Sequence, residues 1–191
     1  ELIDNISFLD TSFKPEGGTG PIIKMVKSFA SAHISNRILA VLDNDSAASA
    51  ALLGLKDFPL PKNIRVIQYP PIKLLEAYPT IGPQGESVMD INGLAGSIEM
   101  YLGQTALHDK HGALEKIQWK GFIPGVDRYQ GALINKERVN QNFKKVIKRS
   151  NGKNDLEMQI ELKDLRFVWD YIISELETVG WVQEPLVGSW A

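Results

Sequence analysis

The stretch from Arg37 to Asp45 reads RILAVLDND, and it constrains the fold more than any other. Five of the six residues from Ile38 to Asp43 are apolar or alanine. A continuous apolar run of this length suits a strand covered on both faces, as in a parallel sheet. Parallel neighbours need crossover connections, and the flanking segments supply helices for them. Ile22, Ile23, Val26, Phe29 and Ala30 recur at helical spacing. They predict a helix over Pro21 to His33, with Pro21 at its first position and Thr19 as N-cap. Ser46 is placed to cap a second helix through Leu55, which its alanines favour. Ile64 to Tyr69 (IRVIQY) reads as a further strand and Ile6 to Phe13 (ISFLDTSF) as the first. A loop from Lys14 to Pro21, with three glycines and two prolines, follows that first strand. The first 70 residues therefore read β-α-β-α-β, an α/β chain with a central parallel sheet.

After Tyr69 the alternation breaks. Residues 69–90 carry four prolines and two glycines and are expected mostly as loop, with a short helix over Lys73 to Ala77. Asp90 to Leu102 (DINGLAGSIEMYL) is expected as a helix with Asp90 as its cap, and Lys116 to Trp119 as a fourth strand. Asn135 to Arg149 has the pattern of an amphipathic helix with Val139, Phe143, Val146 and Ile147 inward. Ser150 to Asp155 reads as a turn, and Leu162 to Leu176 as a last helix. Residues 1–150 are thus expected as one domain, and 151–191 as a helical C-terminal extension of the same piece. Trp119, Tyr129 and Trp169 are expected in the core, and His108 and His111 as solvated loop residues.

Charge is uneven along a chain whose formal net charge is only −2. From Asn135 to Lys153 there are seven bases and one acid, and from Asn154 to Glu177 seven acids and two bases. There is no cysteine, which excludes a disulfide scaffold, a thiolate metal site and a cysteine nucleophile, and fits a reducing, cytoplasmic setting. No apolar run approaches the ~18 residues that span a membrane. The chain starts at Glu1 and enters a strand-like run at once, as a piece cut from a longer protein would.

Asp43 and Asp45 close the apolar run. Residues i and i+2 of a strand point to one side, roughly 6.5–7 Å apart. Two uncompensated carboxylates there repel, at the strand edge where α/β sheets bind ligands. Mg²⁺ relieves that repulsion with one or two carboxylates plus water, and it most often serves phosphoryl chemistry. The competing role is structural, because an aspartate after a strand is also a common helix N-cap. The first crossover would bring the loop FKPEGGTG beside this edge, so that Glu16 faces the pair, with Asp10 as a rival carboxylate. The loop lacks the lysine of a P-loop.

Glu16-Gly17 after a first strand, then a helix, then an apolar strand ending in Asp43-Asn44-Asp45, resembles the Toprim fold of topoisomerases, bacterial primases and OLD-type nucleases. HISNRILAVLDNDSAA and YPTIGPQGESVMDINGLAGSIEMYLG are similar to the Toprim domains that accompany HEPN-type domains. SIEMYL resembles the Ile-Glu-Asn-Tyr-Leu helix of OLD-type nucleases, with Met100 in place of the asparagine. The resemblance covers roughly residues 5–140. One departure is that family members carry the first glutamate directly at the strand's end, whereas here Pro15 and loop-like residues intervene.

The resemblance implies a Rossmann-like Toprim nuclease, the effector of a bacterial antiphage defence protein with a further, HEPN-like domain. Asp43 and Asp45 would bind Mg²⁺ or Mn²⁺, and Glu16 would help hold the metal or act as acid/base. Glu99 would hold a second metal. Lys136, or Lys120, would match the downstream lysine of the OLD-type pattern. Lys136, Lys144, Lys145, Lys148 and Arg149 would track a phosphate backbone of DNA or RNA. Homo-oligomers fit the same expectation. Two alternatives stand beside it. One is a catalytically inactive Toprim module that binds nucleic acid or a partner. The other is a haloacid-dehalogenase-like phosphatase, since LAVLDND also resembles that family's first motif. That family places its D-x-D on the first core strand and needs a later Gly-Asp-type motif, and no Gly-Asp pair follows here.

Overall fold

The computed structural model describes residues 5–9, 18–150 and 156–180. Asp10, Glu16 and the turn at 151–155 lie outside the described residues. Of the expected first strand, residues 6–9 form no strand and the remainder also lies outside. The first described helix is α1 (Thr19–Ser31). It begins before the expected position, and its N-cap is Gly18, at φ 116, rather than Thr19. Pro21 still falls within the first turn, where no backbone N–H has a helical acceptor.

The apolar run forms β1 (Ile38–Leu42). Through Asp43 it continues into the two-residue β2 (Asn44–Asp45) and directly into α2 (Ser46–Leu53). The chain then returns as β3 (Ile64–Gln68), which pairs in parallel with β1, Ile38 opposite Ile64 and Leu42 opposite Gln68. The β1-α2-β3 unit read from the sequence is therefore present, and the chain is mixed α/β with parallel strands. β1 is only half-buried over Ile38–Val41, so its cover is thinner than the unbroken apolar run implies.

The region expected as loop and helix is built differently. After a 3-10 turn at Lys73–Ala77 comes a hairpin of β4 (Tyr78–Gly82) and β5 (Gly85–Met89). Pro79 and two glycines hide its strand pattern, and Pro83 sits in its two-residue turn. Asp90 to Leu102 is not a helix. It forms turns, the two-residue β6 (Ala95–Gly96) and a 3-10 turn at Ile98–Tyr101. Its two glycines explain the failure. Gly93 adopts φ 71, outside the helical region. Gly96 lies against β2 so closely that a Cβ would stand 3.0 Å from the Asn44 carbonyl oxygen. Asp90 accepts from the Asn92 N–H in a local turn instead of capping a helix.

The short α3 (Gln104–Leu107) leads to β7 (Ile117–Ile123) and β8 (Arg128–Leu133), a hairpin of which the sequence disclosed only the start. The four-stranded sheet has the order β5-β4-β7-β8, with β4 and β7 parallel and the other pairs antiparallel. α4 (Lys136–Ser150) follows the expected span, burying Val139 and Val146, but Ile147 is exposed. α5 (Leu156–Glu161) and α6 (Lys163–Thr178) end the described chain. α6 buries Val168 in the main core with Tyr78, Tyr101, Leu107 and Ile117. It is also fastened to the parallel pair, where Arg65 sits 2.7 Å from Glu175 and donates to Thr178. Tyr129, expected in the core, is exposed, and Trp169 is half-buried with its ring 6.3 Å from that of Phe8. His111 is exposed and His108 half-buried. No helix among the described residues is long and apolar enough to cross a membrane.

Candidate active site

The chain turns at Asp43-Asn44-Asp45 because Asn44 anchors inward. Its Oδ1 accepts from the Gly93 N–H at 2.8 Å, and its amide faces Asn92 and the Tyr101 hydroxyl. Alternation along an extended chain then sets Asp43 and Asp45 on the opposite side. Gln68, at the end of β3, fixes the same turn by donating to the Asp43 and Asp45 carbonyls.

The two aspartates have different surroundings. Asp45 is buried and is the N-cap of α2: one carboxylate oxygen accepts from the Ala48 N–H at 2.7 Å. Its other oxygen accepts from Gln130 Nε2, also at 2.7 Å, and Gln130 Oε1 accepts from the Ala47 N–H. The capping role weighed from the sequence is therefore real. Each of these oxygens keeps a second lone pair, so the cap does not exclude a cation. Asp43 has no such clamp. Burial pushes its carboxyl up to about 6, against an ordinary 3.8. The Lys136 ammonium pulls the other way, the Asp45 and Glu99 carboxylates push it up further, and the Ile98 N–H, donating to it, pulls it down.

Glu99 reaches this cluster from the 3-10 turn after β6. It is 7% exposed; its Oε2 accepts from Ser97 Oγ at 2.6 Å and lies 3.2 Å from Lys136 Nζ. Burial alone would raise its carboxyl. The hydrogen bonds from Ser97 and from backbone, together with Lys136, outweigh burial and hold it below the ordinary range. Lys136 is the first residue of α4, so that helix starts at the cluster. Tyr69, which follows β3, has its hydroxyl pushed up to about 12 by burial first and then by Asp43 and Glu99.

Asp43, Asp45, Glu99 and Lys136 are therefore brought together, from the link after β1, from β2, from a turn and from α4. Lys144, Lys145, Lys148 and Arg149 are exposed further along α4. They lie outside the cluster: at about 1.5 Å per residue, Lys144 is ~12 Å and Lys148 ~18 Å along the axis from Lys136. Gln130, Gln68 and Ser97 went unseen in the sequence. Isolated polar residues carry no periodic signal, and only the folded chain reveals what they hold.

Among the described residues, no three acidic or histidine side chains are spaced to hold a metal together. Mg²⁺ does not require three, since it keeps several waters beside one or two carboxylates. The donors fit it: all are oxygens, and Asp43 carries a charge that its neighbours leave under-compensated. No family model, curated protein or solved structure matches the chain.

Proposed function

We propose that this chain is a Toprim-type nuclease module that hydrolyses phosphodiester bonds in DNA or RNA with Mg²⁺ or Mn²⁺. Its place in this proposal is as effector of an antiphage defence protein, beside a HEPN-like domain. One observation carries it. The aspartate at the end of β1, the glutamate of SIEMYL and the lysine of INKERV are distant in sequence, yet their side chains share one electrostatic cluster.

Asp43 and Asp45 would hold the cation, with Glu99 beside them. The bound ion would supply charge neutralisation at phosphorus and an activated water at neutral pH. Asp43 must give up its proton to serve. Lys136 stands at the start of α4, where its ammonium would attract a phosphate oxygen and restrains the Glu99 carboxylate. Lys144, Lys145, Lys148 and Arg149 extend that charge along the helix, as a strand's backbone requires.

A second reading has its own support. Gln130 and the α2 cap occupy Asp45, and Lys136 already neutralises Glu99. A module in this state would bind a strand or a partner without cutting. Cleavage of supercoiled plasmid and labelled RNA, with Mn²⁺ and then Mg²⁺, separates the two. Asp43→Asn and Glu99→Gln are expected to lower the rate by at least about 10–100-fold, as loss of a metal-holding group does. Equal cleavage by all three proteins would refute the nuclease site, and wild-type binding without cleavage would favour the silent module.

A further inference from the structure

We infer that the β7–β8 hairpin is a stacking surface for single-stranded nucleic acid, set beside the acidic cluster. The inference deepens the nuclease reading and rests on it for what happens to the strand, not for whether it binds.

The hairpin's geometry is specific. Trp119 pairs with Gly131 and Phe122 with Tyr129, and the register shifts between those pairs at Lys120 and Gly121. Residues paired across a ladder share a face, as do residues two apart on one strand. Tyr129 and Gly131 therefore share a face, and so do Trp119 and Phe122. Phe122 lies three positions after Trp119, so an unbulged strand would send it to the other side. The bulge turns it back, the kind of re-aiming that bulges provide.

The outcome is a row of three rings. Trp119 lies over Gly131, where a Cβ would stand 3.2 Å from its ring, and packs on the core. Phe122 and Tyr129 continue the row outward, edge to face, with centroids 5.2 Å apart. They remain 46% and 58% exposed. Two adjacent rings left in water invite a flat apolar occupant.

Charge selects among occupants. Lys120, in the bulge, and Arg128, next to Tyr129 along the chain, are exposed and make no ion pair among the described residues, and the Arg128 guanidinium lies by Gly93, beside the Asn44 turn. Asp127 is the hairpin's one acid. Aromatic faces with cations on the same hairpin suit bases joined by phosphates, and stacking needs base faces that a duplex hides. Position links the surface to the site. The Tyr129 carbonyl accepts from Ser46 Oγ at 2.8 Å, and the next residue, Gln130, clamps Asp45. Consecutive residues of β8 thus carry a ring and hold an acid of the cluster.

The test is fluorescence anisotropy with labelled oligo-dT, oligo-U and a duplex of equal length, in EDTA so that nothing is cut. The wild type should prefer a single strand, and the tighter of the two single-strand arms names the nucleic acid. The double variant Phe122→Ala/Tyr129→Ala should bind at least about tenfold more weakly. Tyr129→Phe should stay within about twofold. Unchanged binding by the double alanine variant, or a wild-type preference for duplex, would overturn the inference. So would unchanged binding with a shift from dimer to monomer in light scattering, which would make the rings a contact between copies. Ring-dependent binding without any cleavage would sink the nuclease reading and leave this surface standing.

Discussion

Asp43 is where the site costs the fold most. An aspartate whose carboxyl sits at about 6 when folded, against 3.8, keeps a proton that the unfolded chain has already lost between those pH values. Stability should therefore fall as pH rises through that window, and the full penalty, up to about 3 kcal/mol at 1.36 kcal/mol per unit, applies above it. Asp43→Asn removes the charge. In urea denaturation without divalent ions, the variant should be the more stable protein at pH 7.5 and nearly equal to wild type at pH 4. A variant less stable at pH 7.5 would mean that Asp43 is compensated by a partner. Glu99 has the opposite character, because Ser97 and Lys136 already stabilise its charge.

At the scale of elements, the hinge between β1 and α2 puts the helix cap on a residue to which the proposal also gives the cation, and chemistry can separate the two. Asp45→Ala removes the acceptor for the Ala48 N–H and should cost about 1–2 kcal/mol. Asp45→Asn keeps an acceptor for that N–H, so most of the stability should return while a carboxylate is still missing. If both variants melt at the wild-type temperature, the cap is not holding α2. The β1-α2-β3 unit was legible in the sequence because its signals are local: an apolar run, a small-residue helix, a second run. The β4–β5 hairpin was not, since Pro79 and Gly82 break the alternation while long-range pairing still holds the strands together. The false helix over Asp90 to Leu102 has the converse cause. Its apolar residues recur at helical spacing, but Gly96 is needed flat against Asn44, a contact that no local pattern records.

The whole molecule assembles the cluster by layering. The parallel pair presents Asp43 at its carboxyl edge, β6 lies antiparallel on β2 and delivers Glu99, and α4 starts where Lys136 meets it. α6 closes over the core and ties itself to β3 through Arg65. The aspartates, Glu99 and Lys136 were all legible as motif residues, but their meeting was not, because it depends on a turn that the sequence disguised as a helix. Tyr129 was misplaced for a related reason: an aromatic residue in a strand reads as core, whereas a bulge and an open sheet edge leave it in water. The central claim is that this cluster takes a divalent cation. Calorimetric titration of Mn²⁺ into wild type and Asp43→Asn at pH 7.5 tests it most directly, with the wild type repeated at pH 5. The wild type should bind, more weakly at pH 5 because protons compete for Asp43, and the variant should bind about 10–100-fold more weakly. Equal affinities in the two proteins, or no heat from the wild type at pH 7.5, would contradict the claim and leave Asp45 as a helix cap alone.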